Sequence, residues 1–184
     1  LASPLPWPVD MVEDESGNAY VSGLGGTVLE VDAAGQLSVV AGGGRDIYIY
    51  DFSRKTFSRR TFGGQNVTPV WSHDGAWIYY AALGGAAATI WRRVADGSRD
   101  AEPLVSLPHR IYLNTVSADG KTATFDYSHA QSRSSDIGTI ALQKDAKATT
   151  VVATIFDDYN SRVSPDGKWR AYENIESSRS EIYV

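Results

Sequence analysis

The sequence of 184 residues contains no cysteine, which removes three kinds of chemistry at once. Disulfide bonds, thiolate metal sites and cysteine nucleophiles are all excluded. Histidine is scarce as well: His73, His109 and His129 lie too far apart to form a His-x-x-x-His or similar metal-binding pair. A chain without cysteine suits the periplasm or the cell exterior, and a cytoplasmic location remains the alternative.

Long apolar runs and clusters of basic residues are also missing. No stretch approaches the roughly 20 apolar residues that a membrane-spanning helix needs, so we expect no direct insertion into a membrane. The formal net charge is −5, and the 17 lysine and arginine residues are scattered along the chain. Since nucleic-acid binding requires a basic face, we expect no nucleic-acid partner.

Common catalytic motifs are absent from the sequence. There is no Gly-x-Ser-x-Gly nucleophile elbow, no kinase glycine loop and no His-Arg-Asp catalytic loop. The glycines at 42–44 are not followed by the start of a helix, so they do not form a phosphate-binding loop. We therefore predict no catalytic residue and no cofactor, and we regard an enzyme as the less favoured class.

The most informative feature of the sequence is a short motif that occurs three times. It reads WSHDG at 71–75, VSADG at 116–120 and VSPDG at 163–167. The copies lie about 45 residues apart, within the period typical of four-stranded propeller blades. Ser-x-Asp-Gly favours a tight turn, because serine or aspartate caps the backbone and glycine accepts a positive φ. The repeat predicts one such turn between the first two strands of each blade.

The segments around these turns predict β-strands in groups of four, and little helix. The groups are strands at 66–72, 76–82, 89–95 and 101–106, and at 112–117, 122–127, 137–142 and 149–153. Residues 158–184 repeat the pattern, with strands at 168–174 and 181–184, but stop one strand short of a full blade. Residues 1–45 form a variant four-stranded blade. The predicted fold class is an all-β propeller, complete or partial, of about four blades.

A hairpin at 46–52 and 56–62 does not fit this repetition. The interval from Gly17 to Gly75 is too long for one repeat and too short for two. A missing stretch near Gly42–Gly44 is the first interpretation, and an inserted hairpin is the second. The chain begins with Leu1, and its only methionine is Met11, so we expect a processed or excised piece of a protein.

Residues 46–184 resemble the WD-like propeller repeats of the TolB translocation protein. They also resemble propellers fused to bacterial Ser/Thr kinases and to prolyl-oligopeptidase-type hydrolases. The phrases that carry the resemblance include PVWSHDGAWIYYAA and SPDGKWRAYENIESSRSEIYV. Residues 1–45 resemble an NHL-type blade through PVDMVEDESGNAYVSG. The resemblance implies one continuous propeller domain, in a family with six to eight blades, and an exported or membrane-attached bacterial protein.

Polar residues lie just before, or at the first position of, the innermost strands. In a propeller, the first residues of these strands lie close together around one opening of the central channel. These candidates for ligand binding are Gln65, Asn66, His109, Arg110, Asp157 and Asp158. The alternative is that they are ordinary loop residues. Asp157, Asp158 and Asn160 also offer oxygens to a calcium ion, although acidic pairs in such loops usually cap turns. We predict that His73 and His129 are solvated loop residues.

The sequence favours non-catalytic recognition of a protein or peptide at the channel mouth or edge. One alternative is a metal-dependent lyase or lactonase with its site at the channel mouth, and another is a sensor or gating appendage of a larger kinase or peptidase.

An open arc of blades would expose apolar faces at its two ends. We expect Val12, Tyr20 and Val21 on one such face, and Trp169 and Tyr172 on the other. A homodimer, or a missing partner segment, would then complete the propeller.

Overall fold

The computed structural model contains strands throughout the part of the chain that it describes, and no helix. It describes residues 46–51, 54, 56–128, 134–164 and 166–184, together with the backbone of four strands within residues 8–41. The predictions for His129 and for Gly42–Gly44 lie outside the described residues, as do the side chains of Val12, Tyr20 and Val21. The described part of the chain holds no helix long and apolar enough to cross a membrane.

The strands follow one another along the chain in antiparallel groups. They are β1 (Pro8–Glu13), β2 (Ala19–Gly23), β3 (Thr27–Val31), β4 (Leu37–Ala41), β5 (Tyr48–Asp51), β6 (Thr56–Arg59), β7 (Asn66–Trp71), β8 (Trp77–Gly84), β9 (Ala87–Val94), β10 (Glu102–Leu107), β11 (Ile111–Val116), β12 (Thr122–Ser128), β13 (Ser135–Ala141), β14 (Thr149–Val152), β15 (Asp158–Val163), β16 (Arg170–Asn174) and β17 (Glu181–Tyr183).

Neighbouring strands in space are also neighbours in sequence. The sheets are β1–β4, the hairpin β5–β6, β7–β10, β11–β14 and the three-stranded β15–β17. This is the meander that the sequence predicts, and the all-β propeller class is confirmed. The strands predicted at 76–82 and 89–95 extend two residues closer to the turn than expected, because β8 and β9 stay paired up to Gly84 and Ala87. Gly85, with a φ of +65°, then makes the turn.

The chain divides into two compact units, Leu1–Val67 and Thr68–Val184. In the first unit, the β5–β6 hairpin pairs Tyr50 with Phe57, whose ring centroids are 4.6 Å apart. In the second unit, buried residues follow one another without interruption along the central strands. Ile78 to Ala81 of β8 and Ala123 to Tyr127 of β12 are all less than 9% exposed. Since alternate side chains point to opposite faces, both faces of these sheets are covered.

The Ser-x-Asp-Gly turns join the first two strands of three successive sheets, as predicted. In the first turn, the Ser72 hydroxyl donates to the Asp74 carboxylate over 2.6 Å and accepts the Trp77 N–H over 2.9 Å. The Gly75 N–H closes the turn on the Ser72 carbonyl at 3.0 Å, with a φ of +70°. The serine and aspartate side chains thus accept hydrogen bonds from backbone N–H groups that cannot pair within the β-sheet at the turn.

The other two turns repeat this arrangement of hydrogen bonds. Ser117 and Ser164 donate to Asp119 and Asp166 over 2.6 Å and 2.5 Å. These serine hydroxyls, together with backbone N–H groups, hold the pKa of each turn aspartate, including Asp74, below its ordinary value. The prediction that these aspartates bond the backbone of their own turns is confirmed.

Because the carboxyl pKa values of the turn aspartates are lowered, we expect the protein to lose stability at acidic pH. The pKa of each turn aspartate is lower in the folded protein than in the unfolded chain. Each aspartate therefore contributes fully to the free energy of unfolding at pH values above its unfolded pKa. This contribution is lost as the pH falls through the folded pKa. The D74N/D119N/D166N variant should therefore lose less of its Tm than the original chain when pH is lowered from 6 to 3. Calorimetry across this range tests it, and equal losses in the two proteins would contradict this account of the turns.

Gly138 is the glycine at which a side chain would clash most clearly with its neighbours. A Cβ built there lies 2.6 Å from the edge of the Phe125 ring, which is 1% exposed. Gly138→Ala should therefore lower the free energy of unfolding by about 1–3 kcal/mol, as overpacking does in cores. Gly84→Ala is the matched control, since nothing lies within 4 Å of its Cβ. If urea unfolding shows that Gly138→Ala and Gly84→Ala change the free energy of unfolding equally, the close packing of Gly138 against Phe125 is refuted.

Candidate functional site

Asn66, one of the predicted rim residues, lies in the first unit and closes the base of the β5–β6 hairpin. Its side-chain amide donates to the Asp46 carboxylate over 3.1 Å and to the Gly63 carbonyl over 2.8 Å. Asp46 also accepts from the Thr61 hydroxyl over 3.0 Å and pairs with Arg59. Burial alone raises the pKa of Asp46, but these three side chains together hold it below its ordinary value. Gln65 beside Asn66 is exposed.

His109 and Arg110 lie in the connection between β10 and β11. The His109 ring is half-buried and stacks on Tyr127 of β12, with centroids 5.7 Å apart and an interplanar angle of 29°. The Tyr127 hydroxyl in turn bonds Thr150 of β14. Arg110 is exposed. The imidazole therefore packs against its own sheet, and the guanidinium is the group of this pair that faces solvent.

Asp157 and Asp158 both accept hydrogen bonds from neighbouring parts of the second unit. Asp157 accepts the Ser135 N–H over 2.7 Å, which ties this loop to the start of β13. Asp158 is fully buried and accepts from the Thr154 N–H over 2.8 Å and from the Asn174 amide over 2.6 Å. The two carboxylates order the entry into β15, so an incoming cation would have to displace those bonds.

Asn160 connects two consecutive sheets through a buried carboxylate. Its backbone N–H donates over 3.0 Å to Asp126 of β12, whose other oxygen accepts from the Asn114 amide. Burial raises the pKa of Asp126, and the hydrogen bonds from Asn160 and Asn114 oppose that rise. Asp126 is not among the candidates that the sequence predicts. The only available signal was a carboxylate inside an otherwise apolar and aromatic strand segment, ATFDY at 123–127.

The described residues bring no three histidine, aspartate or glutamate side chains together as metal ligands. Among the predicted rim residues, Asn66, Asp157 and Asp158 make hydrogen bonds within the fold, His109 stacks on Tyr127, and Gln65 and Arg110 are exposed. They stay predictions as ligand-binding groups, and calcium binding at Asp157, Asp158 and Asn160 likewise stays a prediction.

The outer face of the β15–β17 sheet carries a different kind of surface. Ala171, Glu173 and Ile182 lie on this face by strand alternation and pairing, and Trp169 and Val184 continue it at the two strand ends. We call these five residues the terminal-sheet face. Trp169 is 65% exposed, Ile182 67% and Val184 81%. Trp169, Ala171 and Val184 also line a groove of about 180 Å³, together with Arg162, Val163 and Ser164.

The prediction that Tyr172 shares this exposed face with Trp169 is wrong. Tyr172 lies three positions further along the chain, so alternation places it on the opposite face of β16. There it is half-buried and stacks on Tyr183, with ring centroids 5.7 Å apart. The predicted exposure of Trp169 itself is confirmed.

A chain of hydrogen bonds borders the apolar part of the terminal-sheet face. Glu173 accepts from the Asn160 amide over 2.9 Å and from the Ser180 hydroxyl over 2.8 Å. The Tyr159 hydroxyl donates to Ser180 over 3.2 Å. The face therefore combines exposed apolar side chains with an anchored polar rim, which is the usual composition of a protein-binding surface.

No protein-family model and no curated protein sequence matches this chain. Solved structures do match it in fold. TolB from Acinetobacter baumannii aligns over 94% of this chain and 51% of that chain, with a TM-score of 0.63 and 16% identity. Hydrazine synthase from Kuenenia stuttgartiensis aligns over 95% and 57%, with a TM-score of 0.62 and 17% identity.

An oligogalacturonate lyase in complex with manganese also aligns, over 91% of this chain and 54% of that chain, with a TM-score of 0.60 and 12% identity. This chain thus spans about half of the length of each of the three structures. The likenesses show a TolB-like β-propeller fold, and at these identities they show the fold alone.

Asp126 gives the sharpest stability prediction at the junction between two sheets. Asp126→Ala leaves the Asn114 amide and the Asn160 N–H without their acceptor inside the protein. Of the two groups, the Asn114 amide is buried, and leaving a buried group unpaired costs about 1–3 kcal/mol, so the loss should be about 1–3 kcal/mol. Asp100→Ala, at an exposed aspartate between β9 and β10, is the control. If urea unfolding shows that the two variants are equally stable, Asp126 does not tie the sheets together.

Proposed function

We propose that this chain is a non-catalytic propeller module that binds a protein or peptide through its terminal-sheet face. The observation that carries the proposal is the exposure of Trp169 and Val184 at one groove, with the exposed Ile182 on the same sheet face. Contiguous apolar surface of this kind is uncommon on proteins without a partner. Tryptophan is also among the residues that contribute most binding energy at protein interfaces.

The use of the buried carboxylates supports a non-catalytic role. Asp46, Asp126 and Asp158 each accept two or more hydrogen bonds from their own fold. Carboxylates in such bonds hold strands and loops in place. A general acid or base would instead need a titratable group within hydrogen-bond reach of a bound substrate.

The setting of the module is part of the same proposal. The TolB-like fold and the lack of cysteine support an exported bacterial protein, periplasmic or extracellular. We further propose that residues 1–45 are an NHL-like blade, that residues 46–184 are TolB-like blades, and that the parent polypeptide is a larger sensor, kinase or peptidase. A second copy or a further segment that completes the propeller belongs to this proposal as well.

Selection from a random displayed-peptide library tests the proposed function. The full chain is immobilised and compared with the W169S/I182S variant and with I155S. Ile155 is 87% exposed but lies between β14 and β15, outside the terminal-sheet face, so it is the matched control. The original chain and I155S should enrich the same peptides. W169S/I182S should bind them at least about tenfold more weakly, since two apolar anchors are lost.

Two results would overturn the proposal. The original chain could enrich no peptide above the bare support, or all three proteins could bind the enriched peptides equally. Circular dichroism of each variant verifies that the β-structure is intact, so that loss of binding is not loss of folding.

A further inference from the structure

Two backbone hydrogen bonds join successive sheets of the second unit at equivalent positions of the repeat. The Leu113 N–H donates to the Thr68 hydroxyl over 2.9 Å, and the Asn160 N–H donates to the Asp126 carboxylate over 3.0 Å. Thr68, Leu113 and Asn160 each lie four positions before the turn serine of their own sheet. We call the bond to Thr68 the first joint and the bond to Asp126 the second joint.

The two joints differ in their acceptor, which is a neutral hydroxyl in the first and a titratable carboxylate in the second. We infer that Asp126 makes the second joint respond to pH, so that acid holds the β15–β17 sheet more firmly against the β11–β14 sheet. The first joint, with Thr68 as its acceptor, has no such response. This inference is independent of the proposed function.

The repeat explains why a carboxylate serves at the second joint. The first sheet provides the Thr68 hydroxyl, but the equivalent residue of the second sheet is Leu113, whose side chain cannot accept a hydrogen bond. Asp126 of β12 supplies the acceptor instead. It lies nine positions after its turn serine, as does Ala81 in β8, which is 0% exposed. The second sheet therefore carries a carboxylate at a position that is apolar and fully buried in the first.

The backbone of β15 is shaped to form the second joint. Its register with β16 shifts between Tyr159 and Arg162, so Asn160 has no partner in β16. Asn160 has a φ of +56°, a left-handed conformation that asparagine adopts more readily than most residues. The bulge takes its N–H out of the pairing with β16, and this N–H donates to the preceding sheet.

The groups that face Asp126 come from its two neighbouring strands and from the next sheet. They are Tyr112 and Asn114 on β11, Ile137 on β13, Arg162 on β15 and Glu173 on β16. Two further charged residues of the next sheet bond within that sheet, Asp158 to the Asn174 amide and Arg170 to the Ser161 hydroxyl. The charges that act on Asp126 are therefore one of each sign, Arg162 and Glu173.

Burial decides which form of Asp126 the closed joint prefers. Asp126 is 7% exposed, and this burial raises its pKa, as does the charge of Glu173, while the two hydrogen bonds and Arg162 oppose the rise. The pKa is thus higher in the folded protein than in the unfolded chain. The stability that the neutral form contributes is fully present below the unfolded pKa and is lost as the pH rises through the folded pKa. Because opening the joint returns the carboxylate to water, acid disfavours opening.

Amide hydrogen exchange of the full chain, followed by NMR, tests the inference with an internal control. The protection factor of the Asn160 amide, at the second joint, is divided by that of the Leu113 amide, at the first. This ratio should increase at least about threefold between about pH 7 and about pH 4, since one pKa unit corresponds to about tenfold in the opening equilibrium. In D126N, whose side chain is neutral at every pH and keeps an oxygen for Asn160, the ratio should not change with pH.

A second measurement needs no variant, so it decides the matter even if D126N does not fold. The side-chain carboxyl resonance of Asp126 and the amide resonance of Asn160 should titrate with one midpoint, above the value of about 3.9 for aspartate in unstructured peptides. A midpoint for Asp126 at or below that value would overturn the inference. A protection ratio that stays constant or falls in acid, or that rises equally in D126N, would overturn it as well.

Discussion

The structure depends on one constraint: a sheet with apolar side chains on both faces must be covered on both faces. Ile78 to Ala81 of β8 and Ala123 to Tyr127 of β12 show the constraint satisfied, since consecutive residues are buried. The corresponding strand β16 is half-buried along Arg170 to Glu173. In the sheet that contains β16, Trp169 is 65% exposed and Ile182 is 67% exposed.

Polar contacts of two kinds stabilise the arrangement of the sheets: some lie within one sheet, and others join successive sheets. Within each of the three sheets β7–β10, β11–β14 and β15–β17, the Ser-x-Asp-Gly turn fixes the first hairpin through the serine hydroxyl. Between sheets of the second unit, the Thr68 hydroxyl accepts the Leu113 N–H over 2.9 Å, and Asp126 accepts the Asn160 N–H over 3.0 Å. The polar bonds specify register, while apolar burial supplies most of the free energy.

The strands and the Asp-Gly turns could be predicted from the sequence, because each turn is encoded within five consecutive residues. The Asp126–Asn160 bond could not, since its partners lie 34 residues apart and neither has a distinctive motif. The positions of His109 before β11 and of Asp158 at the start of β15 could be predicted, but their packing and hydrogen bonds depend on neighbouring strands. Tyr172 was placed on the wrong face although simple alternation from Trp169 would have corrected it.

Amide hydrogen exchange by NMR tests most directly the central claim, that the middle strands of the second unit are covered and paired on both sides whereas β17 pairs on one side only among the described strands. Backbone amides throughout β9 and β13 should be protected, since both strands are paired on both sides. In β17, the amides that point away from β16 should exchange much faster, since no described strand pairs with that side. Protection of these amides in the free protein equal to that in β9 and β13 would contradict the account.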